Sequence, residues 1–453
     1  MSGRTVAAIA TASGQGALGV IRISGDNAIE IADRVFFPFS GKQLSELEGY
    51  TAAYGQVKEN GNVIDDGVAL VFKAPHSFTG EDTVEITLHG GSIILRQTLR
   101  LILSHGAFAA EPGEFTKRAF LNGKTDLTRA ESIMGLISAE SDAQLRLSRG
   151  AHLGKTAEKI EKIITALTKA DAAISVFSDY PDEDIEGLDR ESFAGMLLRA
   201  KQSLENMLNE YDLGRILREG IETAIVGKPN VGKSSLMNML SHSERSIVTD
   251  IAGTTRDVIE ETVQLGDIIL RLADTAGIHE TGDTIESIGV DLALKRIETA
   301  QLILAVFDCS GELDNDDLKL LESLKGKNAL VVINKTDLES RLNKDLFNGF
   351  NVVYVSAKQN EGLEDLTRKI AEICGVSKLS PDSAVLINER QRACANRALD
   401  AVNEAYTAIN CGQTLDAVGI CVDDALAALF ELTGKRVTNE VADEIFKSFC
   451  VGK

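Results

Sequence analysis

The sequence predicts a multidomain protein, in which an α/β domain is inserted into a helical domain behind a smaller N-terminal α+β domain. Three observations predict it. The chain has 453 residues, too many for one ordinary core. Apolar strand runs alternate with helical patterns from Glu222 to about Val376, the rhythm of a doubly wound sheet. Helical patterns without strands flank that segment on both sides. The boundaries read as 1–120 for the α+β domain, 121–216 for the first helical part, 217–378 for the α/β domain and 379–453 for the second helical part.

In the first segment, Val20–Ser24, Val68–Phe72 and Thr83–His89 read as strands. In the last of these Val84, Ile86 and Leu88 alternate with polar residues, so one sheet face is apolar. A helical run, Ser92–Leu103, follows. From Thr128 the texture becomes helical, and Thr128-Arg-Ala-Glu131 has the form of a capping box. Helical patterns continue to about Phe177 and again from Glu191 to Tyr211, separated by the acidic turn Asp179–Asp184 around Pro181. The α/β strands are Thr223–Val226, Ile268–Ala273, Leu302–Asp308, Ala329–Asn334 and Val352–Ser356. A second helical block spans roughly 385–448. Whether the two helical blocks pack together is not legible in periodicity.

Hydrophobic residues at 44% and charged residues at 25% are ordinary for a globular protein. The net charge of −21 disfavours non-specific nucleic-acid binding but leaves room for a local basic patch or a complex built with a partner. The six cysteines show no C-x-x-C spacing, which favours a reduced compartment without a zinc site. No stretch approaches the ~18 apolar residues of a membrane span, so a cytoplasmic protein without membrane attachment is expected.

Gly227-Lys-Pro-Asn-Val-Gly-Lys-Ser234 matches G-x-x-x-x-G-K-[ST] between a strand and a helical run. Its backbone N–H groups would turn inward around phosphates. Lys233 would reach the β- and γ-phosphates, and the Ser234 hydroxyl would bind magnesium. Asp274-Thr-Ala-Gly277 closes a strand and would face the γ-phosphate. Asn334-Lys-Thr-Asp337 ends another strand, and the Asp337 carboxylate can accept two hydrogen bonds from guanine that adenine cannot donate. Ser356-Ala-Lys358 would offer a backbone amide to the base oxygen. This order, on these strand ends, is that of a Ras-like P-loop GTPase. The contact set therefore comprises Asn230, Val231, Gly232, Lys233, Ser234 and Ser235, then Asp274, Thr275, Ala276 and Gly277. The base loops add Asn334, Lys335, Thr336 and Asp337 with Ser356, Ala357 and Lys358.

The stretch from Ile247 to Asp257 is the switch candidate. It supplies Thr249, Asp250, Ile251, Ala252, Gly253, Thr254 and Thr255, with the hydroxyls of Thr254 and Thr255 as possible magnesium ligands. Ile278 stands where Ras carries its water-orienting glutamine and cannot do that work. Glu286 could orient water, or could be an ordinary helix-surface glutamate.

Over essentially its whole length the chain resembles the MnmE (TrmE) family of bacterial tRNA-modification GTPases. The matching stretches are Ile21-Arg-Ile-Ser-Gly25, Ser77-Phe-Thr-Gly-Glu-Asp82, His89-Gly-Gly91, the run Pro112–Lys124 and Phe449-Cys-Val-Gly-Lys453. The resemblance implies a homodimer formed through the N-terminal domains, with GTPase domains that meet during turnover. It implies magnesium at Ser234 and Thr255, and potassium at Asn230, Thr249, Ile251 and Thr254 in place of an arginine finger. It assigns catalysis to Glu286 with Lys233 and Thr255. It implies a tetrahydrofolate one-carbon donor held by Arg22, Glu85, Lys124 and Lys453, with Cys450 beside it. An FAD-bearing partner, MnmG, would join in aminomethyl-type modification of carbon five of the tRNA wobble uridine. Without the resemblance, Arg22 and Glu85 read as a surface salt bridge and a cross-strand pair. Two alternative readings are an Era-like ribosome-assembly GTPase, which usually has a basic RNA-binding appendage, and a slow effector-binding switch.

Overall fold

The computed structural model describes residues 3–179, 190–241, 261–272, 298, 300–375 and 385–453. In chain order the first elements are β1 (Val6–Ile9), β2 (Leu18–Ser24), α1 (Ala28–Val35), β3 (Phe36–Pro38), β4 (Thr51–Glu59), β5 (Asn62–Phe72), β6 (Thr83–His89), α2 (Ser92–Ser104) and β7 (Phe108–Ala109). Helices α3 (Glu114–Leu121), α4 (Leu127–Ile137), α5 (Asp142–His152), α6 (Lys155–Asp179) and α7 (Arg190–Glu219) follow. Then come β8 (Ile221–Val226), α8 (Lys233–Ser241), β9 (Glu261–Leu265), β10 (Ile268–Leu272), β11 (Leu302–Asp308), α9 (Asn315–Ser323), β12 (Ala329–Asn334), β13 (Asn351–Tyr354) and α10 (Leu363–Ile373). The last are α11 (Glu389–Asn410), α12 (Leu415–Thr433) and α13 (Asn439–Phe446). Among the described residues no helix is long and apolar enough to cross a membrane.

The chain divides into two compact units, residues 1–134 with 423–453, and residues 135–422. The first is built on a seven-stranded sheet in the order β3-β4-β5-β6-β2-β1-β7. All neighbours are antiparallel except β1 and β7. Val84, Ile86 and Leu88 are buried, as their alternation predicts, in a core shared with Ile21, Ile23 and the apolar faces of α1 and α2. The opposite face carries Val6, Ala8, Ala110 and Phe115. Chain-terminal residues complete this unit: Ala442, Phe446 and Phe449 bury themselves with Leu127 and Ala130.

The start of α4 differs from the sequence expectation. Asp126, not Thr128, is the cap: its carboxylate accepts the Arg129 N–H at 3.0 Å, and its carbonyl accepts the Ala130 N–H at 3.0 Å. Thr128 is buried in the first turn and donates its hydroxyl to the same carboxylate. A carboxylate two residues upstream captured the orphan amide, so the helix begins earlier than the Thr–Glu pattern suggested.

The second unit holds a six-stranded sheet, β13-β12-β11-β8-β10-β9, parallel except for the β9–β10 hairpin. Its central strand β11 is apolar throughout because both faces are covered. Leu302, Leu304 and Val306 enter one core, while Ile303, Ala305 and Phe307 enter the other. Within this unit the helical blocks do pack together. The buried Tyr211 hydroxyl on α7 donates to Glu389 at 3.0 Å, and the Thr156 hydroxyl on α6 donates to the Val385 carbonyl at 3.1 Å. Burial, then the bond to Glu389, raises the Tyr211 pKa.

Candidate nucleotide and tail-docking sites

In the second unit the described candidate nucleotide residues gather at the carboxyl ends of the parallel strands. β8 lies at the point where neighbouring connections leave to opposite sides, the place where such sheets bind ligands. The loop after β8 turns sharply into α8, with Asn230 at φ 66° and Gly232 at φ 97°. At Gly232 a side chain would force a shift: a Cβ would lie 2.2 Å from the Asn334 amide nitrogen. Asn334, buried at the end of β12, donates from that nitrogen to the Val231 carbonyl at 3.0 Å. Its Oδ1 accepts the Ala357 N–H at 3.0 Å. One side chain therefore ties the phosphate loop to both base loops.

The Lys233 ammonium donates to the Gly227 and Lys228 carbonyls at 2.7 Å each, and no carboxylate pairs with it among the described residues. Burial lowers its pKa. A half-buried cation held over backbone N–H groups fits an incoming phosphate. Ser234 is exposed beside it, open to a hydrated cation. In the base loop, Ser356 donates its hydroxyl to Asp337 Oδ1 at 2.7 Å, and Thr336 N–H donates to the Val355 carbonyl at 3.2 Å.

Three supports of this site come from partners that carry no motif signal, Asp308, Cys309 and the Asp314–Asp317 pair. Lys335 sits at φ 65° and donates to Asp308 at 2.5 Å. Burial opposes ionisation of Asp308, but bonds from Lys335 and Ser310 outweigh it and hold the carboxyl below its usual range. The Cys309 thiol donates to the Lys335 carbonyl at 2.9 Å, and burial, then the nearby carboxylates, pushes its pKa up. Lys228 leaves the phosphate loop to pair with Asp314, the cap of α9, and with Asp317 at 3.1 Å.

In the first unit Arg22 and Glu85 face each other across β2 and β6. Arg22 gives Nε at 2.8 Å and a terminal nitrogen at 2.7 Å to the same oxygen, Glu85 Oε1. Glu85 Oε2 has no protein partner among the described residues. The Arg22 guanidinium lies 5.4 Å from the ring centres of both Phe78 and Phe115. Its other terminal nitrogen reaches the Gly452 carbonyl at 3.5 Å. The Gly113 N–H donates to the Cys450 carbonyl at 3.2 Å and the Phe115 N–H to the Lys453 carbonyl at 3.1 Å. Gly452, at φ 92°, presses on β1, where a Cβ would lie 2.4 Å from the Ile9 carbonyl.

The family described as "GTP-binding protein TrmE N-terminus" matches residues 5–124, and "MnmE helical domain" matches residues 127–450. The protein described as tRNA modification GTPase MnmE from Listeria welshimeri is 43% identical, covering 99% of each chain. Those of Clostridioides difficile and Bacillus subtilis are 38% and 39% identical, each over 99% of this chain and at least 99% of their own. The chain belongs to the MnmE family of tRNA modification GTPases.

Within the MnmE frame, the tail motif Phe449–Lys453 and the motif Pro112–Lys124 meet through the bonds just described. The motif Ser77–Asp82 joins them. Arg118 donates to Glu81 at 2.9 Å and to Glu114 at 2.7 Å, and Glu81 accepts the Ser24 hydroxyl at 2.9 Å. Burial works against the Arg118 charge, but those carboxylates outweigh it and raise its pKa. Lys124 donates to the Pro75 carbonyl at 2.9 Å, on the same loop as Phe78. Cys450 is exposed. Sequence reading missed Glu81 and Arg118. Their signal was the presence of both in long family-matching stretches, without any local spacing to connect them. The switch residues Thr249, Asp250, Ile251, Ala252, Gly253, Thr254 and Thr255, together with Asp274, Thr275, Ala276, Gly277, Ile278 and Glu286, lie outside the described residues.

Proposed function

We propose that this protein hydrolyses GTP with magnesium and potassium. With an FAD-bearing MnmG-type partner, it would drive tetrahydrofolate-dependent aminomethyl-type modification of carbon five of the tRNA wobble uridine. The observation that carries the GTPase half is the Asn334 side chain, which joins the phosphate loop to loops suited to guanine. Asp337 keeps acceptor capacity beyond its bond from Ser356, and a guanine N1–H and amino group would take it up. The Ala357–Lys358 backbone would receive the base oxygen. Lys233 would exchange its two carbonyl acceptors for phosphate oxygens. Magnesium, held by Ser234 and Thr255, would neutralise charge developing on the phosphates. Asn230 would share a potassium ion with Thr249, Ile251 and Thr254, and Glu286 would orient the attacking water.

The folate half rests on the N-terminal domain, residues 1–120, and the docked tail, both within the first unit. Glu85 Oε2 is free to accept from a pterin's donor edge, while Arg22 holds the other oxygen and flanks two phenyl rings. Lys124 and Lys453 would add positive charge for the folate carboxylates. These N-terminal residues would also form the homodimer.

GTP turnover in matched potassium and sodium buffers tests the reading. Faster hydrolysis in potassium is expected, abolished by Asn230→Ala or Glu286→Ala. Equal slow rates in both salts would overturn the cation mechanism. Folate binding is tested separately by titrating the protein with 5-formyltetrahydrofolate. Unchanged affinity in Arg22→Ala and Glu85→Gln would remove that half.

A further inference from the structure

The chain carries a net charge of −21, yet one groove in its second unit is basic. It runs between α6 and α7, encloses about 470 Å³, and presents Lys159, Lys162, Arg199, Ser203, Asn206 and Asn209. These residues recur at helical spacing, Lys159 and Lys162 on one helix and Arg199, Ser203 and Asn206 on the other, so each set forms one face. The groove's floor is apolar, with Ile163 and Ala200 buried.

Several surface cations among the described residues pair with an acid one turn away, as Lys201 does with Glu205 and Lys369 with Glu372. Two cations of the groove make no such pair. Glu210 engages Lys159 at 2.8 Å, but Lys162 and Arg199 have no acidic partner among the described residues. Gly195 and Ser203 occupy the positions one turn to either side of Arg199, so no acid reaches it along that face. The amides of Asn206 and Asn209 are exposed and make no hydrogen bond within the described structure. Two cations without an ion pair among the described residues and two free amides thus stand over an apolar strip.

That combination suits a sugar–phosphate backbone. Fixed cations take phosphate oxygens, with Arg able to bind two at once. Amides can donate to and accept from a ribose 2′-hydroxyl, and an apolar strip accepts the carbon edge of the sugar. We propose that this groove binds the phosphodiester backbone of tRNA, giving an acidic protein a localised RNA contact. The proposal rests on the tRNA-modification reading and adds the place where the RNA is held.

Anisotropy of fluorescently labelled tRNA, titrated with the full-length protein across a series of potassium chloride concentrations, tests it. Lys162→Glu/Arg199→Glu should weaken binding at least about tenfold at low salt and make the salt slope shallower by about 1.5, as expected for two lost phosphate contacts. GTP affinity should not change. Glu210→Gln, which frees Lys159, should tighten tRNA a few-fold, whereas Glu205→Gln, outside the groove, should not. This second pair keeps the test decisive if the double variant folds poorly. Wild-type binding with the same slope and affinity in the double variant, and no gain from Glu210→Gln, would overturn the groove while leaving the tRNA reading intact. No tRNA binding by the wild type at low salt would remove the proposal, while modification of tRNA by the assembled enzyme would still separately support the broader reading.

Discussion

The nucleotide site of the second unit and the Arg22–Glu85 site of the first are built in opposite ways. The former hangs from the carboxyl ends of neighbouring parallel strands, so the sheet's topology places Gly232, Asn334 and Ser356 together. The latter combines two adjacent strands with a tail from the far end of the sequence, held by backbone bonds to Gly113 and Phe115. A site of the first kind is as durable as its sheet. A site of the second kind depends on docking, and can be lost while the sheet beneath it stays folded.

The sharpest way to test that contrast is to damage one site and read the other. Asp337→Asn should cost at least about a hundredfold in GTP affinity, because guanine donors lose their ionised acceptor. Affinity for xanthosine triphosphate, whose C2 carbonyl can accept from the new amide, should rise. Equilibrium titration with both nucleotides checks this, and protection of the Phe115 amide in hydrogen exchange should be unaltered.

Gly232→Ala should destabilise the second unit by about 2–3 kcal/mol, since it adds strain at a positive φ and breaks the Asn334–Val231 bond. Denaturant unfolding measures the loss, and GTP binding should fall with it. Gly452→Ala is its counterpart in the first unit. It should release the tail, remove Phe115 amide protection and leave GTP affinity within about twofold. An equal fall in GTP affinity would break the contrast, because the two sites would then not be independent.

The smallest effect concerns Asp314, whose carboxyl is lowered to about 2, chiefly by the hydrogen bond from Lys228. Folding therefore gains from this group above its ordinary pKa near 3.8, and the gain disappears as pH falls through about 2. Lys228→Gln should return the Asp314 midpoint towards its ordinary value, read by carboxyl NMR titration. An unchanged midpoint would show that the α9 amides alone hold it down.

Much of the second unit was legible in its sequence. Leu302–Asp308 and Ala329–Asn334 match its strands residue for residue, as Thr83–His89 does in the first unit. The phosphate loop and Asn334–Asp337 fall where their motifs place them. These signals are local, because a strand, a turn and a helix start are encoded within a few neighbours. The partnerships Lys228–Asp314, Lys335–Asp308 and Arg118–Glu81 were not legible, since each joins residues whose proximity only the folded sheet creates. Arg22 and Glu85 show the same limit. Period-two alternation put each on a polar face, but only the strand register made them partners.

The docking of Phe449 and Lys453 also has a consequence for the protein's birth. Most of the first unit's sheet leaves the ribosome early, but its last cluster, Leu127 and Ala130 with Ala442, Phe446 and Phe449, cannot close then. The whole second unit must be translated in between, a wait on the order of tens of seconds at ordinary elongation rates. During that interval the nascent chain exposes Leu127 and Ala130 without their cover. The first domain to be made is thus among the last to be finished, and a holdase chaperone would find its target in that uncovered face.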